Sequence, residues 1–191
     1  MADPVTRSAA RWAAVVAVPV ALVAGLVVYR LLSATDHPSA AGSPPVTSPS
    51  VHSTAPVDMA APPLSAHDTD ACALLVSHLP ETVRDRARRP VTSGSEQNAA
   101  YGDPAITLAC GTGAVASVVP TATVYNLSGV CWYPVSGSAA TTWHTVDRNV
   151  PVTVVVPNTY DAQPQWVVAF SPAVATALPA ATSGVPTGCH G

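Results

Sequence analysis

The sequence predicts an α+β domain: a small antiparallel sheet with an N-terminal and a C-terminal helix, preceded by a single transmembrane helix and a disordered linker. Three observations carry this. An uncharged apolar run of membrane length lies near the N-terminus, and a Pro/Ser/Thr/Ala tract without periodicity follows it. Beyond residue 67, two capped helical stretches bracket six short β-branched and aromatic runs separated by Gly, Pro, Asn, Asp and Ser.

From Trp12 to Tyr29 the chain carries no charge, and Arg30, Leu31 and Leu32 complete the run. At about 1.5 Å per residue, residues 12–32 span roughly 30 Å, the depth of a hydrocarbon core. Trp12 and Tyr29 suit the two headgroup belts, Arg30 can snorkel, and Pro19 is a break that membrane helices tolerate. Arg7 and Arg11 precede the run, and after Arg30 no basic residue appears until Arg84. The positive-inside rule therefore places residues 1–11 in the cytoplasm and everything after residue 32 outside, as a single-pass protein of the cell membrane whose partner is the lipid bilayer. A cleaved signal peptide is the rival reading. Its apolar region usually runs about 7 to 15 residues, shorter than this one, so an uncleaved signal anchor is preferred. No Cys closely follows the run, which speaks against a lipid-modified N-terminus.

Residues 33–66 lack the apolar spacing needed for a core and read as an extended tether. His37, His52 and His67 are scattered through it and its exit without metal-ligand spacing. Residues 67–191 then form one extracytoplasmic domain. In it, Asp68, Thr69 or Asp70 can cap a helix through ACALLVSHL, with Leu74, Leu75 and Leu79 on one face and Pro80 as its stop. Glu81 to Arg89 continues as a further helical turn or two. The stretch AAYGDPAITLACG reads as a polar turn at Gly102, Asp103 and Pro104 leading into a strand that ends on Cys110. AITLAC, ATVYNL, GVCWYPV, TTWHTVD, VPVTVVVP and QWVVAF read as strands. In VPVTVVVP a period of two puts Val150, Val152, Val154 and Val156 on one fully apolar face, which belongs in the core. Asp147, Arg148 and Asn149 form the turn that joins this strand to TTWHTV. Ser171 can cap SPAVATAL, with Pro172 at the first helical position and Pro179 closing it.

All four cysteines lie beyond the apolar run, and an even number in a segment placed outside the membrane favours disulfides. Three pairings are open on this basis. Zinc would call for Cys-x-x-Cys spacing, which is absent, and a catalytic thiol would need to be unpaired beside a His.

The order CALLVSHLP, AAYGDPAITLACG, SGVCWY, TVDRNVPVTVVVP, over about residues 70–180, resembles an actinobacterial envelope family, the domain of unknown function catalogued as thirty-five fifteen. The Gly-Asp-Pro…Cys-Gly and Val-Asp-Arg-x-Val-Pro pieces are the most telling, with Tyr101 standing where the family has an aromatic residue, often Trp. The resemblance implies one N-terminal membrane segment or signal, a linker and this domain, and no assigned activity. It also implies that the two recurrent cysteines are Cys72 and Cys110 and that they pair. Cys131 and Cys189, additions to the family pattern, are then left to each other.

Each candidate site residue has a structural reading beside a chemical one. Asp103 suits the turn, and as an acid or base it lacks an identifiable partner. WHTVDR gathers His144, Asp147 and Arg148, but on an extended chain His144 and Asp147 point to opposite faces, so Asp147 and Arg148 are read as hairpin residues, with Arg148 available to an anion. Arg84, Arg86, Arg88 and Arg89 form a basic cluster at a helix end, solvated or in contact with anionic wall polymer or lipid headgroups. Tyr125, Trp132, Tyr133, Trp143 and Trp166 are needed to fill a core with a single Phe, though an exposed pair could stack on a sugar. Asn126, Leu127 and Ser128 spell a glycosylation sequon.

No hydrolase, metalloprotease, P-loop or dinucleotide fingerprint occurs, so neither cofactor nor metal is expected. The net charge of −3 and the outside placement disfavour nucleic acid. The preferred reading is a non-catalytic domain for interaction or envelope maintenance, touching a cell-envelope component. The alternatives are a wall-acting enzyme using Asp103, His144, Asp147 and Arg148, or a sugar- or lipid-binding module.

Overall fold

Ser65 opens the first helix in the computed structural model of the chain, which describes residues 53–113, 115 and 118–189. Helix α1 is Ala66–His78, and the Ser65 hydroxyl accepts the Asp68 N–H at 3.1 Å. The cap thus lies three to five residues before the three candidates, and Asp68 instead meets the positive end of the helix dipole from within the first turn. The buried stripe is Cys72, Leu75 and Leu79, spaced three and four apart. Leu74 sits about 200° from Cys72 on the helical wheel, and it is 47% exposed rather than part of that face.

Glu81 to Arg89 is a hairpin and not a helical extension. Strands β1 (Thr82–Val83) and β2 (Arg86–Arg89) pair across a two-residue turn, Arg84–Asp85. Leu79 is already extended ahead of Pro80, as the residue before a proline tends to be, and Val83 is drawn into the core with no exposed surface. Sheet pairing and burial override the local helical tendency of this charged run.

Strand β3 (Asn98–Tyr101) follows, then β4 (Ile106–Cys110), β5 (Tyr125–Leu127), β6 (Val130–Ser136), β7 (Ala140–Thr145) and β8 (Val152–Pro157). The eight strands form one sheet in the order β1-β2-β3-β4-β8-β7-β6-β5, every pairing antiparallel. Two four-stranded meanders therefore meet at β4 and β8. The alternation read in VPVTVVVP holds: Val150, Val152, Val154 and Val156 are all buried, and register aligns Val154 with Leu108 on one side and Trp143 on the other.

QWVVAF is helical, contrary to the strand reading. Helix α2 (Pro164–Val167), a 3₁₀ turn (Val168–Phe170) and helix α3 (Ser171–Ala177) run on from one another. Trp166, Phe170, Ala173, Val174 and Ala177 are buried at helical spacing, which outweighs the β-branched composition of the first half. Ser171 makes no cap; its hydroxyl accepts the Trp132 indole N–H at 3.0 Å and fastens this helix to the sheet.

Helices α1 and α3 cover the sheet face that carries Tyr101, Leu108, Cys110, Trp132 and Val154. Cys72 of α1 is bonded to Cys110 of β4, and Tyr101 packs on Phe170 with ring centroids 5.5 Å apart. Burial pushes the Tyr101 phenol up to about 12, and its hydroxyl donates to the Pro80 carbonyl at 2.8 Å. A second disulfide joins Cys131 to Cys189 and holds the tail beside the edge strand β5, where the Asn126 amide meets the Cys189 carbonyl at 3.5 Å.

The last part of the expected linker belongs to the fold. Val57 bridges to Val91, Asn98 donates to the Ala60 carbonyl at 3.0 Å, and Arg89 donates to the Ala55 carbonyl at 2.7 Å. Residues 53–65 are thus a strap, several of whose backbone groups bond to β2, β3 and the segments flanking them, a role that needs no apolar periodicity. The predicted cytoplasmic stretch 1–11, membrane segment 12–32 and the first part of the tether lie outside the described residues. Among the described residues no helix is long and apolar enough to cross a membrane.

Candidate functional site

The sheet order places β4 at the centre and β5 at an edge, so the connection between them is a crossover, and its described residues Thr112 and Gly113 lie against Thr153 of β8. This crossover decides the environment of His144. The Thr153 hydroxyl lies 3.2 Å from His144 Nδ1 and also donates to the Thr112 carbonyl at 3.0 Å. Gly113 takes φ 74° there; a Cβ at this position would run into the Thr153 hydroxyl, so no side chain fits between crossover and sheet.

Burial under the crossover lowers the His144 pKa, with a hydrogen bond to the Gly113 backbone opposing in part. Its folded-state pKa therefore lies below the unfolded one. The stability it contributes is present above the unfolded His value and is lost as pH falls through the folded value. Thermal unfolding followed from slightly alkaline to mildly acidic pH shows that loss in the wild type, and His144→Gln flattens the profile.

Asp147 and Arg148 occupy the connection between β7 and β8. Their side chains form an ion pair at 3.0 Å, with only 14% and 5% of their surface exposed. The Asp147 carboxylate also accepts the Cys131 N–H at 3.0 Å, and Arg148 donates to the Gly129 carbonyl at 2.6 Å. The pair fixes the loop between β7 and β8 against the β5–β6 turn. Burial raises the Asp147 pKa, while Arg148 and the Cys131 N–H pull it back. One carboxylate oxygen of Asp147 and Nε of Arg148 are buried with no hydrogen-bond partner among the described residues.

A cleft of about 400 Å³ opens beside this pair. Its walls are Val115 and Val118 of the crossover, Thr145, Val146, Arg148, Asn149 and Pro151 of the β7–β8 connection, and Ala181, Ser183 and Gly184 of the tail. Arg148 is the one charged side chain in that lining, and Thr145, Asn149 and Ser183 supply neutral hydrogen-bonding groups. No hydrogen bond or ion pair joins His144 to Asp147 among the described residues. Asp103 stands elsewhere, in the β3–β4 connection, where it accepts the Ser53 N–H at 3.2 Å and lies 3.9 Å from Arg89. The four candidate catalytic residues are thus dispersed, each engaged in holding a turn or loop.

The four arginines of the basic cluster also separate, because strand alternation splits them. Arg88 faces the helices and donates to the Val76 carbonyl at 3.4 Å; Arg89, on the opposite face, donates to the Gly102 carbonyl at 2.8 Å and to the strap. Arg84 and Arg86 instead lie over the rings of Trp166 and Tyr160, at 4.6 and 5.7 Å from the centroids. Of the aromatic candidates, Trp132, Trp143 and Trp166 are core, Tyr133 is half-buried, and Tyr125 is exposed and meets Trp143 in a T-shaped pair with centroids 5.4 Å apart. Among the described residues no group of three or more His, Cys, Asp or Glu is placed to hold a metal ion.

A family model described as "Protein of unknown function (DUF3515)" matches residues 16–183. The chain belongs to this family. The match to DUF3515 extends upstream of the domain into the apolar run, and it takes in the crossover, the cleft-lining Ala181 and Ser183, and three of the four cysteines. No curated protein and no solved structure matches the chain.

The sequence offered no sign of the cleft. Its walls come from three segments far apart in the chain, and two of them, the crossover and the tail, are irregular. The one available signal was Arg148 itself, the only basic residue after Arg89, standing beside Asp147 in an otherwise uncharged stretch of strands and turns.

Proposed function

We propose that this DUF3515 protein is anchored in the cell membrane by residues 12–32, with its N-terminus in the cytoplasm, and holds its disulfide-bonded domain outside as a non-catalytic binding module. Its site is the cleft beside Arg148, and its partner a component of the cell envelope. The observation that carries this reading is that, of Asp103, His144, Asp147 and Arg148, only Arg148 lines the cleft, where it is internally neutralised by Asp147 and accompanied by neutral polar groups. Such a lining can orient a polar ligand but brings no nucleophile and base together. The buried Cys72–Cys110 bond supports an oxidising compartment.

The test is made in cells. Asn149→Trp, which fills the cleft from an exposed position, reproduces the phenotype of deleting the gene, whereas Asp103→Asn and His144→Gln do not. A deletion phenotype from the latter two, with Asn149→Trp silent, would return the enzyme reading. Placement outside is checked separately. A membrane-impermeant thiol reagent labels the cysteines of intact cells after external reduction, and labelling only after lysis refutes it.

A further inference from the structure

We propose that the tip of the β1–β2 hairpin is a second site, which binds a phosphate group through Arg84. Arg84 takes φ 55°, in a two-residue hairpin turn where Gly, Asn or Asp is the usual occupant. A non-glycine residue held in this region is strained, and such strain concentrates at functional positions. Its guanidinium lies 4.6 Å over the Trp166 ring. A guanidinium held over an aromatic face keeps its N–H donors available to other acceptors. Among the described residues no acceptor engages those donors, and Arg84 is exposed.

The second half of the site comes from Arg86, 5.7 Å from the Tyr160 ring, which in turn is tilted against Trp166 with centroids 4.7 Å apart. Two guanidinium groups thus ride on two touching rings that are themselves anchored, Tyr160 by its hydroxyl to the Pro104 carbonyl at 2.7 Å and Trp166 by its indole to the Asp161 carbonyl at 3.1 Å. Two cations on neighbouring platforms suit a tetrahedral oxyanion, whose several acceptors can be shared between them, better than a carboxylate, which one fork satisfies. Asp85 lies 3.5 Å from Arg86 and is 69% exposed, so it is a carboxylate with which an incoming phosphate competes. The described residues carry nine Asp and Glu against five Arg, which disfavours an extended polyanion lying along the whole domain and favours a single phosphate at this tip.

The experiment titrates the full chain, in zwitterionic detergent at constant ionic strength, with inorganic phosphate and separately with glycerophosphoglycerol, a headgroup phosphodiester. The readout is the nuclear magnetic resonance shift of the Trp166 indole and Arg84 Nε–H signals. Saturable shifts are expected. Arg84→Gly, which relieves the positive φ and so keeps the fold, weakens binding about tenfold, as loss of a charge-assisted hydrogen bond does. Arg84→Lys, charged but without the planar fork, is also weakened, and Asp85→Asn binds more tightly. Tighter binding of the diester assigns the site to a lipid or polymer headgroup, and tighter binding of inorganic phosphate assigns it to free phosphate. Shifts no larger than chloride produces, or binding unchanged in Arg84→Gly, overturn the proposal.

Discussion

Replacing Cys72 and Cys110 together by alanine lowers the unfolding free energy by about 4 kcal/mol, the chain-entropy value for a loop of this size. The bridge closes 38 residues, and both sulfurs lie within the core, one on α1 and one on β4. Urea unfolding of the wild type and the double variant measures the loss. The comparison with Cys131→Ala plus Cys189→Ala is the informative one. That bridge closes a longer separation, 58 residues, so loop entropy alone ranks it higher. Cys189, however, sits in a short 3₁₀ turn at Thr187–Cys189 with no buried residue. Cutting this bridge frees the tail in the folded state as well as in the unfolded one, which cancels part of the loss. We expect the shorter loop to matter more for global stability, and the second bridge to matter for the cleft wall at Ala181, Ser183 and Gly184. Equal losses from both pairs would show that the tail is as firmly packed as α1.

Asp147→Ala costs about 3 to 5 kcal/mol, because it strands a buried guanidinium. Among the described residues Arg148 then keeps only backbone carbonyls, those of Asp147 and Gly129, and the Cys131 N–H loses its acceptor. Asp147→Ala combined with Arg148→Met recovers most of the loss, since burial already works against the charged form of Asp147 and an apolar pair removes that penalty. A double-mutant cycle at neutral pH, read by urea unfolding, gives the coupling directly. A double variant as unstable as Asp147→Ala alone would mean that the carboxylate acts through the Cys131 N–H rather than through Arg148.

These two expectations concern residues that the sequence made visible to different degrees. The apolar alternation of VPVTVVVP, the strand ending on Cys110 and the turn at Asp147 to Asn149 could be read directly, because each is a local pattern whose period or turn chemistry has one good structural solution. The hairpin at Thr82 to Arg89 could not. Its charged residues favour a helix locally, and only the pairing of Arg88 and Arg89 with Tyr101 and Ala100 makes it a strand. Strand β3 escaped for the same reason, since Asn-Ala-Ala-Tyr has no β-branched residue and is buried at every position by its neighbours.

The candidate site divides in the same way. Arg148 and the Arg84 cluster were visible as rare charges, but whether a given arginine is bound up or available depends on which strand face it occupies. Arg89 ends on the strap, Arg88 on the end of α1, and Arg84 on Trp166, a residue 82 positions later in the chain.

What the sequence determined by itself was therefore the local grammar: the α+β composition, the apolar face of β8, the turns, the oxidised cysteines and the family. What only the tertiary structure decided was the sheet order β1-β2-β3-β4-β8-β7-β6-β5, the crossover that this order throws over His144, and the strap and cleft. The physical reason is that side-chain periodicity is set by backbone geometry within one element, whereas burial, pairing and pKa are set by whichever distant segment packs against it.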